Sequence, residues 1–414
     1  MHLTVIGTGY VGLVTAIGLA DTGHEVTCVD LNAERMDQLS RGITPIKEHG
    51  IDEALAKNQS RLTFTTDYPV SDIYLVAVGT PERADGSCDV SAVEAVVGLI
   101  ESISPGASVV LKSTVPPGTT ERLSTEHPSL RFAMVPEFLR EGTALADMRQ
   151  PSRIVIGTRD ALLAPRLEEL FKTTDAPVVH VDPTTAELTK YAANSFLAVK
   201  ISFINEIARL ADQVGANVDD IAHGIGLDPR IGPAFLRAGA GYGGSCFPKD
   251  IAALTTLAKT HDTQLHVIEA ADRTNEDQLT YVFEKIKAKR GTKVALLGLA
   301  FKPGTDDLRD APALRLAERL KQVGAVVTGY DPAATTLLNQ KQTVEEALAG
   351  TDVAVIMTEW DEIKRIEPRV FEQQMQTARL IDGRNCWHYF ESPGAVQYEG
   401  IGRPRQTFSN NPTN

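Results

Sequence analysis

The apolar positions of this chain fall into short runs that end in Gly, Pro or Thr and alternate with stretches of helical spacing. LTVIG at 3–7 reads as a buried strand, YVGLVTAIGLADTG at 10–23 as a helix and EVTCVD at 25–30 as a second strand. Similar apolar runs recur at 72–81, 108–118, 131–138 and 153–157. Continuous rather than alternating apolar runs, separated by helical patterns, predict parallel strands with crossover helices covering both faces of the sheet. At 184 the pattern changes: TTAELTKYAANSFLAVKISFINEIARLADQVG repeats its apolar residues at three and four, which predicts one long helix stopped by Gly215. Helical spacing continues to about 290, interrupted by a loop around 226–250. The opening pattern then restarts, with TKVALLGLAF at 292–301, a helix through 313–324, AVVTGYDP at 325–332 and further strands at 352–360 and 379–385. The tail after about 403 is polar and predicts a loose end.

GTGYVG at 7–12 gives the first strand–helix turn a chemical meaning. In a G-x-G-x-x-G that follows a strand and opens a helix, Gly7 allows the tight turn, Gly9 lets a pyrophosphate approach the backbone and Gly12 permits close helix–sheet packing. The helix amino end then faces the phosphates. The second strand ends in Asp30, whose carboxylate suits a ribose hydroxyl and repels a 2′-phosphate, so NAD is the cofactor expected rather than NADP. The restarted unit, LLGLAFKPGTDD, lacks the fingerprint and carries Lys302 where its helix would begin, which points to a nucleotide substrate instead. The expected fold class is therefore α/β: two Rossmann-like doubly wound parallel-sheet domains joined by a long central helix. The expected domains are 1–183 for the cofactor, 184–290 as a central helical domain and 291–414 for the nucleotide-linked substrate.

Composition narrows the partners. At 414 residues the chain suggests two or three domains, and a formal net charge of −13 argues against nucleic acid or a membrane surface as a general partner. The apolar start lacks the basic leader of a signal peptide, and no apolar run is long enough to cross a bilayer. The four cysteines, Cys28, Cys88, Cys246 and Cys386, form no CxxC or Cys/His cluster, so a disulfide framework and a metal site are both unexpected and a reducing cytoplasm is expected.

Cys246 stands apart, in GYGGSCFPKD. Three glycines leave the backbone bare before it, and Lys249 and Asp250 follow; a nearby cation favours the thiolate. On its own a GGSC would be a turn with an incidental small residue. In a chain with an NAD site, a nucleophilic thiol has a specific use. Oxidising an alcohol past the aldehyde requires the aldehyde to become a hydride donor again. A thiohemiacetal does this, and its oxidation product, a thioester, is then hydrolysed to the acid. Lys190 and Asn194 are four apart on the predicted long helix and so share a face, where an ammonium and an amide suit a developing oxyanion; a solvated surface lysine is the alternative for Lys190. Glu137 and Glu141 bracket the end of a strand, a usual place for ligand contacts in open α/β sheets.

Assembled, VIGTGYVGLV, AVGTP, KSTVPPGTT, PEFLREGTA, AELTKYAANSFLAVKISFINEIA, GLDPRIGPAFLRAGAGYGGSCFPKD, LGLAFKPGTDDLRDAP and IDGRN resemble the UDP-glucose/GDP-mannose dehydrogenase family, in the family's order and over nearly the whole chain. The resemblance implies Cys246 as covalent nucleophile, Lys190, Asn194 and Asp250 around the oxyanion and water, and Thr114 and Glu137 assisting hydrolysis. For NAD it implies Gly7, Gly9, Tyr10, Val11, Gly12, Asp30, Arg35, Thr80, Thr114, Glu141 and Arg309. For the sugar nucleotide it implies Glu137, Phe138, Leu139, Lys190, Asn194, Arg230, Phe235, Tyr242, Gly243, Lys302 and Arg384. UDP-glucose is the substrate expected, with GDP-mannose or a UDP-N-acetylhexosamine as alternative. Family members are dimers or larger, built on the long helix, so a homodimer is expected, with Arg230 reaching toward a neighbouring subunit. Two departures stand out: Val135 replaces the family's Asn before Pro136, and His49 interrupts its Glu-Pro-Gly-Leu at 48–51, a stretch expected to lie away from the chemistry. The competing readings are a two-electron NAD alcohol dehydrogenase with a structural cysteine and a non-catalytic NAD-binding scaffold.

Overall fold

The computed structural model describes residues 1–171, 176–336 and 338–404; the tail expected to be loose lies mostly outside the described residues. The chain forms two compact units, one of Met1–Ala193 with Ala252–Gln264 and one of Asn194–Ile251 with Leu265–Asn414. The division falls inside the long helix, which runs unbroken from Pro183 to Val214 and is followed by Gly215 at φ 74°.

The first unit is built on eight strands, β1 (His2–Ile6), β2 (Glu25–Val29), β3 (Leu62–Thr65), β4 (Ile73–Val76), β5 (Ser108–Leu111), β6 (Arg131–Met134), β7 (Ile154–Gly157) and β8 (Val178–Val181). They are ordered β3-β2-β1-β4-β5-β6-β7-β8 and are parallel except where β6 meets β7. Every residue of β4 and β5 is buried, because helices cover both faces, whereas β8 at the edge is half-exposed. Burying side chains such as Leu3, Val5 and Leu75 completely is worth about 1.5–3 kcal/mol each. The strand order reverses between β1 and β4, where Ile6 pairs with Val76, and the loops leaving those two strands open a crevice at the carboxyl edge.

The second unit holds five parallel strands, β9 (Lys293–Leu297), β10 (Val326–Tyr330), β11 (Val353–Ile356), β12 (Arg379–Asp382) and β13 (Gln397–Glu399), ordered β10-β9-β11-β12-β13. Its switch point lies between β9 and β11. The crossover helix Pro312–Gln322 starts with proline, whose fixed φ suits the first turn, and ends with Arg319 and Lys321 against the negative end of the dipole. Helices Val218–Gly226, Phe247–Thr260 and His266–Ile286 supply the helical character expected before 290. Both sheets match the α/β, Rossmann-like expectation. The strands at 62–65, 178–181 and 397–399 add edges that no apolar run announces. Among the described residues, no helix is long and apolar enough to cross a membrane and no cluster of His, Cys, Asp and Glu could hold a metal.

Candidate active site

At the β1 crevice the three glycines occupy three different environments. Gly7 has φ 91°, and a Cβ there would stand 2.7 Å from the Ala77 carbonyl oxygen. On Gly12 a Cβ would fall 1.8 Å from the Gly7 carbonyl oxygen, so the helix Tyr10–Asp21 approaches the turn this closely only without a side chain. Gly9 has nothing within 4 Å of that position, which leaves open the side from which a pyrophosphate would approach. Asp30, after β2, accepts Thr8 N–H at 2.8 Å, Thr8 Oγ1 at 2.9 Å and Asn32 N–H at 3.0 Å, and pairs with Arg35 at 3.3 Å. Burial pushes its carboxyl up, but these donors and the guanidinium more than offset that and hold it below the ordinary range. Oδ2 takes three of these donors and Oδ1 only the Asn32 N–H, so a lone pair of Oδ1 is left to accept a ribose hydroxyl. Thr80 donates from its hydroxyl to the Thr114 carbonyl at 2.8 Å, tying together the loops that follow β4 and β5, and the buried Cys88 thiol lies behind the same two residues. These features fit a dinucleotide: the glycine turn would take the pyrophosphate and Asp30 the ribose. Arg309 belongs to the second unit, where its side chain is bidentate to Asp307.

The stretch around His49 lies closer to this crevice than expected. Glu48 is buried; it accepts the Tyr10 hydroxyl and, at 2.7 Å, the Gly142 N–H, which also donates to the Tyr10 oxygen at 2.8 Å. Thus Glu48 joins the dinucleotide helix to the loop carrying Glu141. The departing His49 is followed by Gly50, at φ 75° before the helix Ile51–Asn58. The other departure, Val135, is buried, and its carbonyl accepts the Lys112 ammonium at 3.1 Å.

Below that carbonyl, Glu137 and Lys190 form a buried ion pair at 2.9 Å, their side chains 9% and 5% exposed. Glu137 also accepts the Leu139 N–H at 2.6 Å. Burial alone would raise its carboxyl; the Lys190 ammonium, the hydrogen bonds and Lys112 together hold it below the ordinary carboxylate range. A solvated lysine at 190, the alternative weighed from sequence, is therefore overturned. Phe138 turns its ring to Arg153, whose guanidinium carbon is 3.5 Å from the centroid, with Lys190 Nζ at 5.6 Å. Lys112 was not visible as a site residue: burial, seconded by Lys190, pushes its ammonium down to about 8 against the pull of Glu137. The signal in KSTVPPG is a lysine closing the apolar run VVL. Glu187, completely buried one turn before Lys190, accepts Gly118 N–H at 2.6 Å and Thr120 N–H at 2.7 Å, which fixes the start of the long helix to the loop after Thr114.

In the second unit Cys246 is exposed and directly precedes the helix Phe247–Thr260, its carbonyl accepting the Asp250 N–H at 3.0 Å. The unsatisfied N–H groups and dipole of a helix amino end favour a thiolate. Lys249 follows in the first turn, its ammonium 2.5 Å from Asp250 Oδ1. Asn194 donates its amide to Asp250 Oδ2 at 2.6 Å, so Asp250, 1% exposed, sits between an ammonium and an amide.

The expected sugar-nucleotide residues of this unit divide into two groups. Lys302 follows β9, with its ammonium 5.1 Å from the Phe301 ring centroid, and Arg384 follows β12. Arg384 donates to the Met357 carbonyl at 2.7 Å and to the Gly241 and Phe301 carbonyls at 3.2 Å each, knitting the loops at the second switch point. Tyr242, by contrast, is buried; its ring packs edge-on to Phe247 and its hydroxyl faces Asp272 at 3.5 Å. A Cβ on Gly243 would lie 2.1 Å from the Asp310 carbonyl oxygen, so this glycine answers to packing. Phe235 holds φ 64°, unusual for an aromatic residue, and Arg230 is 87% exposed and bidentate to Asp228. Asp331 ends β10 as Asp30 ends β2, yet it is buried and accepts the N–H groups of Leu299, Ala300, Ala333 and Ala334 as well as the Trp360 indole. Both Asp331 oxygens thus carry at least two donors each, and the unit also lacks the glycine fingerprint.

Comparison with known proteins agrees with this division of labour. Models of the UDP-glucose/GDP-mannose dehydrogenase family match the chain at residues 1–175 as its NAD binding domain, at 184–277 as its central domain and at 295–389 as its UDP binding domain. A UDP-glucose 6-dehydrogenase of Rhizobium meliloti (strain 1021) is 43% identical over 98% of this chain and 100% of that protein. Another from Bacillus subtilis (strain 168) is 42% identical over 97% of this chain and 98% of the relative. The solved UDP-glucose dehydrogenase of Pyrobaculum islandicum superposes with a TM-score of 0.90 at 36% identity, covering 97% of this chain and 98% of that one. With its fingerprint, its buried Glu137–Lys190 pair and its exposed thiol in place, the chain belongs to the UDP-glucose/GDP-mannose dehydrogenase family of NAD-dependent oxidoreductases.

Proposed function

We propose that this enzyme oxidises UDP-glucose at C6 to UDP-glucuronate through a covalent intermediate on Cys246. The observation that carries the reading is the thiol itself, exposed at a helix amino end behind a glycine-bare loop in a chain with a dinucleotide crevice. NAD, when bound, accepts a hydride in each of the two oxidation steps. Cys246, as thiolate, adds to the C6 aldehyde to give a thiohemiacetal; loss of hydride converts this to a thioester, and water cleaves the C–S bond to release carboxylate and thiol. Lys190 and Asn194 stabilise oxygen anions on the sugar carbon, Asn194 being oriented by Asp250. Glu137, kept ionised, takes the proton of the hydrolytic water, and Thr114 helps to place that water. Lys302 and Arg384, at the switch point of the second sheet, serve the nucleotide. We read 1–183, 184–290 and 291–414 as the cofactor, central and nucleotide-sugar domains. The test is selectivity: kcat/KM for UDP-glucose is expected to exceed that for GDP-mannose and UDP-N-acetylglucosamine by about 10²-fold or more, since unpaired polar groups in a site reject the wrong ligand that strongly. Higher kcat/KM with either alternative would keep the chemistry and change the substrate.

The same reading includes a homodimer. Phe196, Phe203 and Leu210 repeat every seven residues along the long helix and are 64%, 46% and 58% exposed, an apolar stripe that a second copy would cover. Light scattering is expected to give twice the 44.7 kDa chain mass or a multiple of it, and Phe203→Glu to shift it toward monomer. A wild-type monomer at micromolar concentration would refute the dimer. The thiol state of all four cysteines supports a cytoplasmic setting.

A further inference from the structure

The loop that delivers Cys246 has almost no secondary structure to hold it, yet its peptide groups are not left to solvent. Gly239–Gly244 belongs to neither helix nor strand, and all its members are buried. Two side chains of the helix His266–Ile286, three residues apart and so on one face, reach its backbone. Asn275 accepts the Tyr242 N–H at 2.8 Å through Oδ1 and donates Nδ2 to the Tyr242 carbonyl at 3.1 Å, gripping one residue by both peptide groups. Gln278 donates to the Gly239 carbonyl at 2.7 Å, and Asn205 of the long helix accepts the Gly239 N–H at 2.8 Å. All three amides are at least 95% buried. The opposite side of the loop is fixed by the Gly383 carbonyl on Ala240 N–H at 2.7 Å and the Arg309 carbonyl on Gly244 N–H at 3.0 Å. Gly241 at φ 98° lies so close that a Cβ would stand 2.6 Å from Asn275 Oδ1.

We infer that Asn275 and Gln278 are positioning residues for the reaction: they set the path of Gly239–Gly244 and thereby the place of the Cys246 thiol. The chemistry of the carboxamide is what the position demands. It presents a donor and an acceptor in one plane, the complement of a peptide unit, where a carboxylate presents acceptors alone and an alkyl chain neither. Cys246 lies four residues beyond Tyr242, with no regular element between the grip and the helix that starts at Phe247. Through this loop the carbonyls of Arg309 and Gly383 also tie the thiol to the segments that follow β9 and β12.

The inference rests on the proposed nucleophilic role of Cys246, and its test separates the two. The rate of Cys246 alkylation by iodoacetamide is measured against pH in the full-length wild type, Asn275→Asp and Gln278→Met, beside kcat and KM for UDP-glucose. Asn275→Asp keeps shape while replacing the donor to Tyr242; Gln278→Met removes the donor to Gly239 and serves if the first variant does not fold. Leu279→Ala, a core truncation on the same helix, is the control for lost stability alone. The expected result is a kcat lower by about 10²-fold in either amide variant, since displacement of a reacting group by about 1 Å costs that much, with KM little changed. The pH midpoint of alkylation is expected to move with it, and Leu279→Ala to keep both kcat and midpoint. Amide variants with wild-type kcat and midpoint, or a Leu279→Ala enzyme equally impaired, would overturn the positioning role. A wild-type midpoint at or above the ~8.5 of an ordinary cysteine would instead count against the nucleophilic thiolate itself.

Discussion

Cys246→Ser is expected to end multiple turnover while leaving NAD affinity within a few-fold of wild type. The helix start beside residue 246 can favour a thiolate because a thiol ionises near neutrality; a serine hydroxyl in the same field stays protonated. Without a thiohemiacetal the aldehyde is a poor hydride donor, so the variant is expected to lose about 10³-fold or more in kcat, in line with the loss of other enzymic nucleophiles. Steady-state NADH formation checks this, with NAD binding followed separately by calorimetry. A variant keeping a tenth or more of wild-type kcat would return Cys246 to the role of a loop residue and favour a two-electron alcohol dehydrogenase.

Glu137→Gln is expected to stop the cycle one step later. The carboxylate is held ionised by Lys190 and by the Leu139 N–H, so above the ordinary carboxylate range its basicity is constant and hydrolysis by this group is independent of pH. As pH falls through its lowered pKa the base is lost, and the wild-type rate is expected to fall with it only at pH below 4.5, the ordinary glutamate value. Glutamine can still accept the Lys190 hydrogen bond but cannot take a proton, and loss of a general base costs about 10²–10⁴-fold. The thioester then accumulates. Quenched samples analysed by intact mass are expected to carry one sugar-nucleotide acyl group on Cys246. The variant is also expected to be less stable, because Lys190 is left buried without its counter-charge, a change that costs about 3–5 kcal/mol when a buried pair is broken. Glu137→Asp, which keeps the charge, separates the two effects. Turnover by Glu137→Gln near the wild-type rate, with no adduct, would remove Glu137 from hydrolysis.

Much of the fold and the dinucleotide fingerprint are legible in the chain because each depends on local pattern. Gly7, Gly9, Gly12 and Asp30 are spaced by one strand–helix–strand unit, and the long helix announces itself by period and by Gly215. Residues that act through tertiary contacts are not legible this way. Glu48 reaches Tyr10 and Gly142, far from it in sequence, and its neighbourhood read as remote for that reason. Asn275 and Gln278 are not legible either, since nothing local marks an amide that grips a backbone. That the Lys249 ammonium stands 2.5 Å from Asp250 is likewise a contact that sequence does not announce. The short edge strands at 62–65 and 178–181 escaped because half-exposed edges lack the apolar run that marks β4 and β5.

The central claim is that one thiol carries one sugar through two oxidations. The most direct test is the NADH formed per molecule of limiting UDP-glucose, with the sugar product identified in the same sample. Two NADH per sugar and a carboxylate product are expected; one NADH per sugar with release of the aldehyde would mean that the thiol carries no second oxidation.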